Sequence, residues 1–134
     1  MSKILVIEDD KLILKSLIII LNSEGFETLS AENGLDGIEL ALSESPDLVL
    51  SDINLKDISG MEVFNSLRKD SRTISSPFIF ISGMSEIDDI RKGMSLGADD
   101  YIVKPFKHAD VVNSIKARLQ KKAENENILN RLGQ

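Results

Sequence analysis

Acidic residues end two of the apolar stretches in this chain of 134 residues. The first stretch, "KILVI", runs into Glu8, Asp9 and Asp10, and a later one, "LVLSD", ends in Asp52. A carboxylate at the end of a buried strand is unfavourable, because its charged form loses hydration that apolar neighbours do not replace. Asp52 therefore requires a cationic or hydrogen-bonding partner.

Two further apolar stretches end in residues of complementary chemistry. Ser82 follows "FIFI", and Lys104 follows "DYIV". Carboxylates brought close together repel one another, and some take up protons unless a cation joins them. A hard divalent cation with oxygen ligands suits such a cluster, Mg²⁺ in the first place and Mn²⁺ as an alternative. Lys104 and the Ser82 hydroxyl could then neutralise and orient a phosphoryl group on Asp52, by position and electrostatics.

The elements that must position these residues alternate between strands and helices. Predicted strands cover residues 3–7, 26–31, 47–52, 77–82 and 100–104, with the second at a sheet edge because its hydrophobicity alternates. Predicted helices cover residues 10–23, 34–43, 60–69, 85–96 and a last segment from about 107. Strand and helix alternate five times, which indicates an α/β fold with a parallel sheet and right-handed crossovers. In such sheets the site lies at the carboxyl ends of the strands.

Four segments in this order resemble the receiver domain of two-component response regulators, the CheY-like superfamily. They are "ILVIEDD", "DLVLSDINLKDISG", "FIFISG" and "GADDYIVKPF". The resemblance covers roughly residues 3 to 120. It implies a (βα)5 doubly wound, five-stranded parallel sheet with the flavodoxin-like strand order 2-1-3-4-5. We expect residues 1–120 to form this receiver domain and residues 121–134 to form a helical extension or linker.

The resemblance implies a role for each residue at the strand ends. Asp52 would be the phosphoacceptor. Glu8 and Asp9 would hold Mg²⁺ together with Asp52, and the backbone carbonyl of Asn54 would complete the protein ligands. Asp57, in the same polar loop, is more simply a turn residue than a second acceptor.

The remaining roles concern the response to phosphorylation. The resemblance implies that Ser82 moves onto the phosphoryl oxygens and that Lys104 pairs with them. Tyr101 would turn inward as a switch, and the peptide bond before Pro105 would be cis. The surface formed by the fourth helix, fifth strand and fifth helix would then change to control an output.

The implied partners are a sensor histidine kinase or a histidine phosphotransfer protein, and a downstream output domain or protein. Either Ile18 or Ile19 of the first helix is expected to face outward and to contact the phosphotransfer partner. The net charge of −6 argues against direct nucleic acid binding by this chain. No segment has the length or apolarity of a membrane span, and the chain contains no cysteine, so we expect a cytoplasmic protein. It would be a monomer or a phosphorylation-dependent homodimer.

Two alternatives remain open at the level of sequence. A degenerate receiver would act by protein contacts without phosphorylation. Phosphatases of the haloacid dehalogenase type also use an aspartate nucleophile at a strand end, but they need a second aspartate two positions later as a general acid. Asn54 occupies that position here. The expected protein is therefore a phosphoacceptor that assists its own Mg²⁺-dependent phosphorylation and slow dephosphorylation, and not a turnover enzyme.

Overall fold

Five strands and five helices alternate along the chain in the computed structural model, which describes residues 1–83 and 87–133. The strands are β1 (Lys3–Ile7), β2 (Glu27–Ala31), β3 (Leu48–Asp52), β4 (Phe78–Gly83) and β5 (Asp100–Lys104). The helices are α1 (Lys11–Ser23), α2 (Gly34–Glu44), α3 (Gly60–Arg68), α4 (Ile87–Ser95) and α5 (His108–Leu132). The predicted beginning of the fourth helix at residue 85 lies outside the described residues.

All strand pairs are parallel, and the sheet order is β2-β1-β3-β4-β5. This confirms the predicted fold, including the edge position of the second strand. The chain leaves β1 toward β2 on one side, and β3 then pairs with the other side of β1. The strand order therefore reverses beside β1 and β3, which is where parallel α/β sheets form their sites.

The sheet is covered on both faces, which explains why β1, β3 and β4 are almost continuously apolar. Successive side chains of a strand point to opposite faces. Leu5 and Ile7 accordingly join the core beneath α2, α3 and α4, whereas Ile4 and Val6 join the core beneath α1 and α5. Phe78 and Phe80 of β4 pack their rings edge-on in the first of these layers. The central strands are thereby packed on both faces, and their carboxyl ends share one edge.

Local signals explain several helix ends. The Asp10 side chain accepts hydrogen bonds from the amides of Leu12 and Ile13 and caps α1. Gly25 and Gly97 follow α1 and α4 with φ of 82° and 109°, a left-handed conformation that favours glycine. Among the described residues, no helix is long and apolar enough to cross a membrane.

Candidate functional site

Two buried carboxylates and one ammonium group meet at the carboxyl edge of the sheet. Glu8 follows β1 and is fully buried, and Asp52 ends β3 and is only 5% exposed. Lys104, the last residue of β5, places Nζ 2.7 Å from Asp52 Oδ2 and 3.0 Å from Glu8 Oε1. The structure therefore brings together three of the predicted site residues. It also identifies the cationic partner that a carboxylate at this position requires.

The pKa values of Glu8 and Lys104 are both shifted in this cluster. Burial raises the pKa of Glu8 to about 8, and the nearby Asp52 carboxylate raises it as well, while Lys104 acts in the opposite direction. Burial tends to lower the pKa of Lys104, but its hydrogen bonds and charge contacts with Asp52 and Glu8 raise it overall. The Lys104 ammonium group therefore stays protonated, but its single positive charge does not fully neutralise the neighbouring acids.

The site has the donor set of a hard divalent cation. Carboxylate oxygens of Glu8, Asp9 and Asp52 lie within 4.8 Å of one another. Oε2 of Glu8 is buried, and it has no hydrogen-bond partner among the residues that the structure describes. A buried acceptor without a donor is unfavourable, whereas an oxygen-liganded cation would satisfy it. These residues therefore fit Mg²⁺ or Mn²⁺.

The loop after β3, residues 53–59, is closed at its base. The Asn54 amide donates to Asp52 Oδ1 at 3.0 Å, and the Gly60 amide donates to the Ile53 carbonyl at 2.7 Å. A Cβ on Gly60 would collide with the backbone carbonyl of Asp52. Only glycine permits this close return of the chain, so Gly60 fixes the loop that presents Asn54 beside Asp52.

Ser82 and Tyr101 occupy different environments. Ser82 is fully buried near the end of β4, between the strands that carry Asp52 and Lys104. Tyr101 is 44% exposed and lines a surface cavity of about 370 Å³ together with Ile90 and Met94 of α4. In this structure its side chain therefore belongs to the α4–β5 surface. The peptide bond between Lys104 and Pro105 is cis, as the resemblance implied.

Asp57 has a contact that the sequence did not suggest. Its two carboxylate oxygens accept hydrogen bonds from the backbone amides of Gly34 and Leu35, at 2.8 and 2.9 Å. Interpretation as a turn residue missed this contact, because the partner amides lie 23 and 22 residues earlier in the chain. No local pattern around Asp57 reports a bond at that distance.

The structure distinguishes the two isoleucines considered for partner contact. Ile19 is 59% exposed on α1, whereas Ile18 packs partly against the core beneath α1 and α5. The exposed side of α1 also carries Leu12 and Lys15. Ile19 is therefore the one that a docking protein could reach.

Comparison with known proteins defines the class. The family described as "response regulator receiver domain" matches residues 4–116, which is most of the chain, so the protein belongs to this family. Its four strand-end segments are therefore those of a receiver domain, and receiver domains are in general phosphoacceptors that bind Mg²⁺ at such an acidic cluster.

Particular relatives agree with this class. The cell cycle response regulator CtrA of Brucella ovis is 38% identical over 115 residues, covering 86% of this chain and 49% of that protein. A CheY-like receiver domain protein from Methanospirillum hungatei superposes with a TM-score of 0.86 and 30% identity, covering 93% of this chain and 98% of that chain. NtrX from Brucella abortus superposes with a TM-score of 0.90 and 26% identity, covering 96% of this chain and 29% of that chain. The chain spans about half the length of the curated relatives it matches.

Proposed function

We propose that this protein is a phosphorylation-activated switch of a two-component system, with Asp52 as the phosphoacceptor. The observation that carries the proposal is the position of Lys104 Nζ, 2.7 Å from Asp52 and 3.0 Å from Glu8 at the sheet edge. A carboxylate held at a buried strand end, with a cation beside it, is placed where part of the negative charge of an incoming phosphoryl group is compensated.

The chemistry is a transfer between two nucleophiles. A carboxylate oxygen of Asp52 attacks phosphorus while the P–N bond to the donor histidine breaks, and its electron pair returns to the imidazole nitrogen. Lys104 neutralises the charge that accumulates on the phosphoryl oxygens, and the Ser82 hydroxyl donates a hydrogen bond to them. Glu8, Asp9, Asp52 and the Asn54 carbonyl would hold Mg²⁺, which when bound supplies further neutralisation of the oxygens.

The output follows from a shift between two conformations. Ser82 would move toward the phosphoryl group, and Tyr101 would leave its exposed position and turn inward. The surface of α4, β5 and α5 would change in consequence. In this two-state switch phosphorylation shifts an existing equilibrium, so we expect the unphosphorylated protein to visit the active state as a minor population.

The proposed partners follow from the class. A sensor histidine kinase or a histidine phosphotransfer protein would supply the phosphoryl group, and an output domain or protein would read the switch. We place the receiver within residues 1–120 and assign residues 121–134, where α5 continues as a helix to Leu132, to an extension or linker. The protein would act in the cytoplasm, without direct nucleic acid contact by this chain, as a monomer or a phosphorylation-dependent homodimer.

A turnover phosphatase is less well supported, because Asn54 stands where those enzymes need an acid. A degenerate receiver is also less well supported, because it would not need Lys104 to bridge two buried carboxylates.

Incubation with acetyl phosphate and Mg²⁺, followed by borohydride reduction and peptide mass analysis, should locate the modification on Asp52. Modification of Asp57 instead would overturn the assignment.

A further inference from the structure

We propose that Asp57 is a positioning residue for cation binding. It ties the middle of the β3–α3 loop to the start of α2, and thereby holds Asn54 in place beside Asp52. This inference rests on the proposed function, and it adds to that function a residue that neither contacts the phosphoryl group nor ligates the cation.

The tie consists of two hydrogen bonds to one helix end. Gly34 and Leu35 donate their backbone amides to separate oxygens of Asp57, at 2.8 and 2.9 Å. Amides in the first turn of a helix have no partner inside the helix, and the helix dipole favours a negative charge there. The Asn33 side chain accepts the next amide, that of Asp36, at 2.8 Å. The cap of α2 is therefore shared between a local residue and a distant one.

The same loop is also held by other contacts. The Ile53 carbonyl accepts the Gly60 amide at the base of the loop. Ile58 occupies the space that a Cβ on Gly34 would need, so the loop also packs directly onto the start of α2. The base contact is close to Asp52, but Asn54 lies between this base and Asp57. The Asn54 amide also bonds to Asp52 Oδ1, which fixes one side of Asn54. Without the Asp57 tie, the stretch that follows Asn54 would lose its two hydrogen bonds to the start of α2.

Asp57 is suited to this role at neutral pH. Although the slight burial of this exposed residue tends to raise its pKa, the hydrogen bonds from Leu35 and Gly34 lower it overall. The carboxylate is therefore charged under physiological conditions and accepts both amides. An exposed acid with two such bonds restrains a loop more strongly than a simple turn residue, which bonds only within the turn.

The test is Mg²⁺ affinity measured by isothermal titration calorimetry on the Asp57→Ala variant of the full chain. We expect the affinity to fall roughly tenfold, the lower end of the loss seen when a group that orients metal ligands is removed. The rate of phosphorylation by acetyl phosphate should fall at low Mg²⁺ and return to the wild-type value at saturating Mg²⁺. This separation of affinity from rate distinguishes positioning from a general loss of stability.

Two matched variants complete the test. Asp36→Ala removes the same charge from the same end of α2, but its carboxylate contacts the Asn33 side chain and not the loop. Its Mg²⁺ affinity should stay close to that of the wild type. Asp57→Asn keeps one acceptor oxygen and should recover part of the affinity. Thermal unfolding of each variant shows whether it is folded. If Asp57→Ala does not fold, Asp57→Asn replaces it in the comparison with Asp36→Ala.

An equal loss of affinity in Asp57→Ala and Asp36→Ala would overturn the inference, because the effect would then be one of charge. Unchanged affinity in Asp57→Ala would overturn it as well and leave Asp52 untouched as the phosphoacceptor. Calorimetry measures cation binding without phosphoryl transfer. A wild-type protein that binds Mg²⁺ but takes up no phosphoryl group would therefore count against the proposed function alone.

Discussion

The ammonium group of Lys104 lies 2.7 Å from Asp52 Oδ2, although the two residues stand on strands that do not pair with each other. β4 separates β3 from β5, so the Lys104 side chain extends across the end of β4, where Ser82 and Gly83 stand. Small residues at that strand end suit such a crossing. The ion pair thereby connects the two sides of the site above the intervening strand.

Removal of this bridge should destabilise the protein. Lys104→Met leaves Asp52 Oδ2 and Glu8 Oε1 without the donor that they share, and an unpaired buried acceptor costs about 1–3 kcal/mol. We expect a loss of this size in the free energy of unfolding, measured by urea denaturation with EDTA present. The matched control is Lys116→Met, which removes an exposed ion pair with Glu24 and should have little effect. Equal losses in both variants would contradict the structural importance of the bridge.

The stability of the metal-free protein should depend on the protonation of Glu8. Its pKa is raised from 4.5 to about 8, so between these values the folded state holds a proton that the unfolded state has released. This contribution to stability is complete below pH 4.5 and is lost as the pH rises through 8. One pKa unit corresponds to about 1.4 kcal/mol, so the change is on the order of a few kcal/mol.

Urea denaturation in EDTA at a series of pH values between 5.5 and 9 measures this effect. Glu8→Gln is the control, and its stability should fall less over the same interval because the amide does not titrate. Added Mg²⁺ should stabilise the wild type more at high pH than at low pH, since the ion binds the deprotonated carboxylate. A wild-type curve parallel to that of Glu8→Gln would show that Glu8 does not titrate in this range.

Gly60 should tolerate no side chain. A Cβ at this position would meet the backbone of Asp52 and Ile53, which cannot move aside as a flexible side chain can. Gly60→Ala should therefore lower the free energy of unfolding by about 1–3 kcal/mol, the usual effect of overpacking. It should also weaken Mg²⁺ binding, because the loop after Asp52 must shift. Among the residues that the structure describes, the new Cβ of Gly133→Ala would approach the carbonyls of Leu129 and Asn130, at 3.4 and 3.8 Å, and this control should unfold like the wild type.

The exposed side chain of Ile19 should matter to a partner protein and not to the chemistry of Asp52. Ile19→Ala should slow phosphoryl transfer from a histidine-phosphorylated protein that is able to phosphorylate the wild type. It should leave phosphorylation by acetyl phosphate unchanged. Ile18→Ala is the comparison, because Ile18 packs partly against the core and its truncation should lower stability. Equal slowing of both reactions by Ile19→Ala would refute a docking role for α1.

Much of the fold follows from local sequence features. β1, β3 and β4 are nearly continuous apolar runs because both faces of the sheet are covered, and their ends place Glu8, Asp52 and Ser82 at one edge. The predicted bounds of the strands agree with the structure to within one residue at each end. The length of the last helix was less evident, because the apolar residues after Leu119 are too sparse to indicate a packed face. The structure continues α5 to Leu132 with that part largely exposed.

Contacts between residues that are distant in the sequence could not be predicted from local sequence features. The bond of Asp57 to the start of α2 depends on the packing of α2 beside the β3–α3 loop, and nothing near Asp57 in the sequence reports it. The choice between Ile18 and Ile19 depends on the exact rotation of α1 about its axis, since the two are neighbours on a helix. The pKa of Glu8 likewise depends on burial beside Asp52, which only the folded arrangement creates.

The most direct test of Asp52 as phosphoacceptor is the intact mass of the protein after incubation with acetyl phosphate. Wild type and Asp52→Asn are each incubated with Mg²⁺ and with EDTA. The proposal predicts a gain of one phosphoryl group only in the wild type and only with Mg²⁺, with both proteins folded throughout. A gain of the same size in Asp52→Asn, or no gain in the folded wild type with Mg²⁺, would contradict it.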